Sequence, residues 1–376
     1  MLRRRLRVPV SSGVLAPHKR YEIKAMRTIV AALAVAACAG SLTADVSDAV
    51  GDARATSFGT RGTIVALAAD GRRVALATTG VRRSCDRIIV WNAPGKTFSR
   101  IDARTHCPRG ESPSGGESLR EIALAGTRVA WVESVAGNLQ SLLLWTATLG
   151  STRRTQLAFA ENEAGAAEGV DGAYVGDLFA DGPLLAYDTY ELTNGGGSIG
   201  RSRLWTVMGG KKRAVRSGPD TTFVVAVDAG RIAVDDGLGT LYVYDRGGKP
   251  LQKLALGSRL NDGIAFQGSR VVSLRNGSLE LYDIGTGSLE RTLELPGAKG
   301  AKLLDLEDGL VVYVQNRETH VVRLSDGANI AFTAPARSVD AAIETPGLFY
   351  AYNRPSTTAP GHVVFVPLAE LRRRLG

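Results

Sequence analysis

Between Thr222 and Leu256 the chain alternates short apolar runs with polar turns: TFVVAVDAG, RIAVDDG, TLYVYDRGG and PLQKLAL. Each run is rich in Val, Ile, Leu and Tyr and closes on Gly or Asp, the pattern of short strands joined by tight hairpins. Asp-Ala-Gly and Arg-Gly-Gly suit such turns because Gly accepts the positive φ they require. The stretch therefore predicts a unit of four strands. Such a unit cannot bury both faces by itself, so similar units must stack on it.

The first turn recurs along the chain at Gly71, Gly126, Gly182, Gly230, Gly268, Gly309 and Gly347, at spacings of 55, 56, 48, 38, 41 and 38 residues. Seven copies near a 40-residue period predict an all-β fold: a seven-bladed β-propeller of four-stranded antiparallel blades over residues 54–368. The last copy lacks an outer strand, because LAELRRRLG after HVVFVPL shows no strand alternation. RATSFGT, at 54–60, lies where a preceding blade's fourth strand would end. An N-terminal strand closing blade seven is the economical expectation, since an open edge invites pairing with other chains.

The third strand of each copy is also legible: IIVWNAPG, LLLWTATLG, RLWTVMGG, LYVYDRGG, LELYDIGTG, HVVRLSDG and HVVFVPLA. Trp91, Trp145, Trp205, Tyr244 and Tyr282 align there and read as packing between blades. On these residues the chain resembles the WD-repeat and YVTN-like propellers, and its Ala-Asp-Gly turns at Gly71 and Gly182 are similar to those of TolB-like propellers. The Gly-His opening of true WD repeats is missing, and only Tyr244-Asp245 and Tyr282-Asp283 keep the Asp. The resemblance implies architecture and no subfamily.

The first 44 residues differ in kind. Residues 1–27 carry eight Lys or Arg and one acid, and Thr28 to Ala37 is a ten-residue apolar run. This reads as a secretory signal and is too short to span a bilayer. Met26 is an alternative start. Val35-Ala36-Ala37-Cys38 resembles a lipobox, which would make Cys38 a lipidation site; cleavage after Ala39 or Ala44 is the rival reading. Residues 45–53 read as a tether, and residues 369–376, with Arg372, Arg373 and Arg374, as a solvated basic tail. Residues 1–27 hold seven of the nine net positive charges. The propeller body is near neutral, so the basic balance is no argument for nucleic acid.

Cys85 precedes the third strand of blade one and Cys107 follows the fourth. The two ends of that hairpin lie opposite each other, so a disulfide is expected in an exported chain. A metal site at His106 and Cys107 lacks further ligands at metal spacing. Gly196-Gly197-Ser198-Ile199-Gly200 matches G-x-S-x-G but lies between strands, where the nucleophile elbow needs a helix. The overlapping G-x-G-x-x-G at Gly195, Gly197 and Gly200 fails on the same ground. No cofactor or metal is expected. Acids in the insertions (Glu161, Glu163, Glu168, Asp171, Asp177, Asp188 and Glu191) carry no calcium-loop signature and read as solvated charge.

Three insertions, Asp102–Ser118, Phe159–Ala173 and Tyr187–Arg203, fall in blades one to three and would emerge as long loops on one face. Binding concentrates on loops held by a rigid frame. The residues singled out as contacts are Arg109, Glu163, Tyr190, Glu191, Arg201 and Arg203. The function expected is that of an exported, monomeric, non-enzymatic module of the bacterial cell envelope, contacting a protein, peptide or glycan, and reaching the membrane only through a lipid anchor. A hydrolase or lyase with its site at the channel mouth is the alternative. Asp177, Asp262, Asp305 and Asp340 recur early on the innermost strands, a feature of the ring and no catalytic constellation.

Overall fold

The computed structural model describes residues 55–80, 85–95, 97–102, 117–136, 139–162, 171–194, 198–218, 223–256, 263–354 and 360–376. After β1 (Thr56–Gly59), the chain forms meanders of four antiparallel strands. The first is β2 (Ile64–Asp70), β3 (Arg73–Thr78), β4 (Arg87–Asn92) and β5 (Thr97–Asp102). Next come β6 (Glu117–Ala125), β7 (Arg128–Ala136), β8 (Gln140–Thr148) and β9 (Arg154–Asn162), then β10 (Gly172–Asp181), β11 (Leu184–Thr193), β12 (Ser198–Met208) and β13 (Lys211–Ser217). The fourth is β14 (Val224–Asp228), β15 (Arg231–Asp235), β16 (Thr240–Asp245) and β17 (Pro250–Ala255); the fifth is β18 (Ile264–Gln267), β19 (Arg270–Arg275), β20 (Ser278–Asp283) and β21 (Ser288–Glu294). The sixth is β22 (Lys302–Glu307), β23 (Leu310–Gln315), β24 (Glu318–Arg323) and β25 (Asn329–Thr333). The last comprises β26 (Ser338–Glu344), β27 (Gly347–Asn353) and β28 (Gly361–Pro367), followed by a helix, α1 (Leu368–Leu375).

The fold is an all-β propeller. Among the described residues, inner strands touch in cyclic order: β2, β6, β10, β14, β18, β22, β26 and back to β2. Five sheets have four strands; the second and third meanders join into one of eight, where Gly172 of β10 pairs with Asn162 of β9. The core lies between neighbouring meanders. Ile64, Leu76 and Trp91 of the first, for example, pack on Phe349, Val363 and Phe365 of the last. The N-terminal closure expected from 54–60 is present: β1 pairs antiparallel with β28, from Thr56–Phe365 to Gly59–His362.

The first turns do more than reverse the chain. At four of them the side chain just before the turn reaches into the turn of the next meander. Asp181 accepts from the Ala229 amide at 2.6 Å, Asp228 from Gly268 at 2.8 Å, Gln267 from Asp308 at 2.9 Å and Glu344 from Gly71 at 3.2 Å. Each of those four donors sits at positive φ: Ala229 47°, Gly268 60°, Asp308 51° and Gly71 58°. Positive φ at this place is what a primed hairpin turn needs. A second tier lies higher on the inner strands, where Asp305 accepts from the Ile343 amide at 2.9 Å and Asp340 from Leu67 at 3.1 Å. Asp305 and Asp340, two of the recurring acids, are therefore clasps between blades.

Two expectations need correction. Trp145 and Trp205 do not share the position of Trp91, Tyr244 and Tyr282. Trp91 pairs with Val74, the second residue of its strand, whereas Trp145 and Trp205 pair with Trp131 and Tyr187, two residues further along. Side chains repeat every second residue along a strand, so a slip of two keeps the same face and leaves the apolar pattern unchanged. The basic tail is a packed helix. Leu371 and Leu375 are buried in the cluster holding Leu348, Tyr350 and Phe332, and Glu370 binds Arg373 and Arg374 at 2.7 Å. A stripe at i, i+3 and i+7 drives this burial, but in eight residues the arginines mask it.

Candidate functional site

The insertions of the third meander are strand, where loop was expected. β10, β11 and β12 run for 10, 10 and 11 residues, and β11 stays paired with β12 as far as Thr193 and Ser198. Ser198 opens β12, a strand with no helix behind it, which removes the hydrolase elbow and phosphate-loop readings. An irregularity between the Tyr190–Ser202 and Leu192–Ile199 pairs places Glu191 opposite Gly200 and Arg201.

This hairpin and β9 bound an open groove of about 730 Å³. Tyr190, Glu191, Arg201 and Arg203, four of the six residues singled out from sequence, line it together. Arg109 and Glu163 lie outside the described residues. The groove also contains Trp205, Lys212, Tyr174 and Phe159, which sequence reasoning missed. Trp205 was taken for packing between blades. Lys212 lies in the Lys211-Lys212-Arg213 run of β13, a signal present in the sequence.

Trp205 organises the floor. Its Nε1 donates to Thr189 Oγ1 at 2.9 Å, and Tyr187 stacks on it at 6.3 Å. The Lys212 ammonium lies 4.1 Å and the Arg203 guanidinium 5.2 Å from the ring centre, both cation–π geometries. Lys212 also donates to the Leu157 carbonyl of β9, linking the two meanders. Desolvation pushes the Lys212 pKa down, and the neighbouring Arg203 charge adds to it. Arg201 is exposed, and Phe159 is 55% exposed.

Beneath the groove is a buried carboxylate. Asp188 is inaccessible to solvent, its Oδ1 accepts from the Val224 amide at 3.0 Å, and its Oδ2 has no hydrogen-bond partner among the described residues. A Cβ at Gly176 would come within 2.5 Å of both oxygens, so only glycine fits there. Burial pushes the Asp188 carboxyl up to about 7; amides of Val224 and Phe223 pull it down and Asp177 pushes it up. Phe223 stands at φ 61°, costly for an aromatic residue, and its ring meets Tyr190 edge-on at 5.5 Å. Asp188 thus fixes the corner on which one groove residue rests.

The channel holds a different chemistry. Burial pushes Glu121 up to about 7, with Asp177 and Asp340 pushing the same way and Lys302 opposing. Asp177 is reached by solvent yet walled by protein, and its carboxyl is also raised by desolvation. Asp262 lies outside the described residues. The insertion acids scatter: Asp177 faces the channel, Asp188 is buried, and Glu161 and Glu191 are exposed. Among the described residues, no three Asp, Glu, His or Cys converge as a metal site, and no helix is long and apolar enough to cross a membrane.

No protein-family model matches the chain, and no curated protein matches it. Solved structures do. The WD40 β-propeller domain of Doa1 superposes with a TM-score of 0.51 at 11% identity, covering 85% of this chain and 97% of that one. A chain of the mitotic checkpoint complex gives 0.51 at 12%, covering 91% and 100%. BamB from Moraxella catarrhalis gives 0.42 at 13%, covering 80% and 85%. At these identities the likeness is one of fold: the chain has the broad WD-repeat type of β-propeller architecture.

Proposed function

We propose that the chain is an exported, seven-bladed propeller that binds a protein partner of the bacterial cell envelope without catalysis. The face it uses is the one formed by the extended strands β9 to β12. The observation carrying this reading is the groove itself: Trp205, Thr189 and the buried Tyr187 stacked on Trp205 present Arg201, Arg203 and Lys212, which have no carboxylate bonded to them among the described residues. Forked and aromatic side chains on a fixed frame are the usual anchors of protein interfaces. The basic, then apolar, N-terminal segment supports export, with Cys38 as lipid attachment or ordinary cleavage beyond it. The Cys85–Cys107 bond belongs to the same proposal, and Cys85, which stands as no free thiol, supports it.

Replacing Glu191 with a photoreactive p-benzoylphenylalanine in cells that express the chain naturally tests this. Adducts are expected from position 191, in the extracytoplasmic fraction. None are expected from Arg246, in the turn after β16. Non-reducing peptide maps of the same fraction should contain the joined Cys85 and Cys107 peptides. Retention of the chain in the cytoplasm, or adducts from 246 alone, would refute the proposal. A hydrolase or lyase at the channel mouth is the second reading, favoured by Glu121 sitting near neutral pKa beside Lys302, equipment suited to general acid–base work. It demands a turnover that Glu121→Gln abolishes without lowering the melting temperature.

A further inference from the structure

We infer that the groove over β9 to β12 takes an extended acidic peptide, its carboxylates held by Arg201, Arg203 and Lys212 and one apolar side chain laid on Phe159. This rests on the reading of that face as the partner surface and names the partner's chemistry.

Charge comes first. Arg203 bonds only the Ser217 hydroxyl, at 3.4 Å, and the Trp205 ring; Lys212 bonds the Leu157 carbonyl and the same ring; Arg201 has no bonded partner among the described residues. Two cations sharing one indole with no anion between them repel each other, and an incoming carboxylate relieves that repulsion. Among the described residues Glu191 is the one acid lining the groove, and it is exposed across the bulge from Arg201. Such a local excess, in a body close to neutral, selects an anionic partner.

Ring geometry separates peptide from anionic glycan. Sugars dock on open aromatic faces. Here the Trp205 faces are taken by Lys212, Arg203 and Tyr187, and Tyr174 and Tyr190 stack on each other at 5.3 Å. Phe159, on β9, is left as an exposed apolar surface suited to a side chain. The arginines favour carboxylates, which a guanidinium fork grips through two parallel hydrogen bonds. Arg201 and Arg203 stand two residues apart on one strand, roughly 7 Å along it. An extended peptide repeats its own side chains at that interval, so Asp or Glu at alternate positions matches the pair.

The probe is a fluorescein-labelled peptide with Glu at alternate positions around a single Phe, titrated with the full chain and followed by anisotropy. Binding is expected at low salt and should weaken as salt rises. Arg201→Glu should weaken it about tenfold, the effect of losing one charge-assisted pair, and Arg201→Glu with Arg203→Glu should abolish it. Arg246→Glu should leave it unchanged. Arg201 bonds nothing that holds the fold, so its variant reports binding alone. A parent chain that ignores the peptide at 0.1 mM, or binds polygalacturonate in its place, overturns the inference. So does equal binding by the Arg201→Glu variant. If the peptide fails while position 191 still gives adducts, the acidic-peptide chemistry is wrong and the face stands. If both fail, the face is wrong too.

Discussion

Removing residues 45–60 is expected to lower the melting temperature by about 10 °C or more and to turn the chain into oligomers. β1 supplies the outer strand of the last meander and also reaches the first. Phe58 packs on Phe98 at 4.5 Å and Trp91 at 6.1 Å. Beyond the strand, the Thr60 amide donates to the Gly361 carbonyl at 2.8 Å and the Gly361 amide to Gly62 at 3.1 Å. The deletion cuts the Thr60 tie and strips β28 of its partner, leaving an apolar edge free to pair with another chain. Several lost hydrogen bonds and one aromatic side chain come to at least 3 kcal/mol by general magnitudes, and each kcal/mol moves the midpoint of a domain this size by roughly 2–4 °C. Phe58→Ala isolates the packing share, about 2 kcal/mol for a half-buried ring. Calorimetry with light scattering decides the matter: a deletion variant that melts with the parent and keeps its size would place the closure elsewhere.

The second large effect is a loss of stability as pH rises from about 5 to about 8.5. Burial raises Asp305 to about 6, Asp188 and Glu121 to about 7, and Glu344 to about 8. Between the ordinary carboxylate range and these values, the folded chain holds protons that the unfolded chain has released. Linkage then makes stability fall as pH climbs through the window. Glu370, lowered to about 2 by Arg373 and Arg374, acts in the opposite sense, but only below the ordinary carboxylate range. Asp188 should dominate, on the order of 3 kcal/mol, because its Oδ2, once charged, has no hydrogen-bond partner among the described residues and no water reaches it. Asp188→Asn should flatten the profile, narrowing its gap to the parent at pH 8. Gly176→Ala should destabilise at every pH, since the added methyl collides with the carboxylate. Thermal melts across pH decide this, and parallel profiles for parent and Asp188→Asn would exonerate Asp188.

Much of the architecture was legible in residue order. Alternation with period two, punctuated by Gly turns, suffices for strands and hairpins, and the recurrence of those turns suffices for a ring. The closing role of 54–60 followed from one missing strand. The site was legible only in part: Tyr190, Glu191, Arg201 and Arg203 were found because an unusually long segment drew notice to them. That the segment would continue as paired strand depended on β10 and β11 offering partners across the hairpin, which local sequence cannot reveal. The position of Trp205 had the same cause. A two-residue slip leaves the apolar pattern intact, so only the pairing with Tyr187 decided that its ring would meet Lys212 and Arg203 beside β9. Asp181, Asp228 and Glu344 were visible as turn residues, yet their work lies between blades. Closing the ring brings each carboxylate to an amide some 40 residues or more away in sequence, and that proximity is a property of tertiary structure alone.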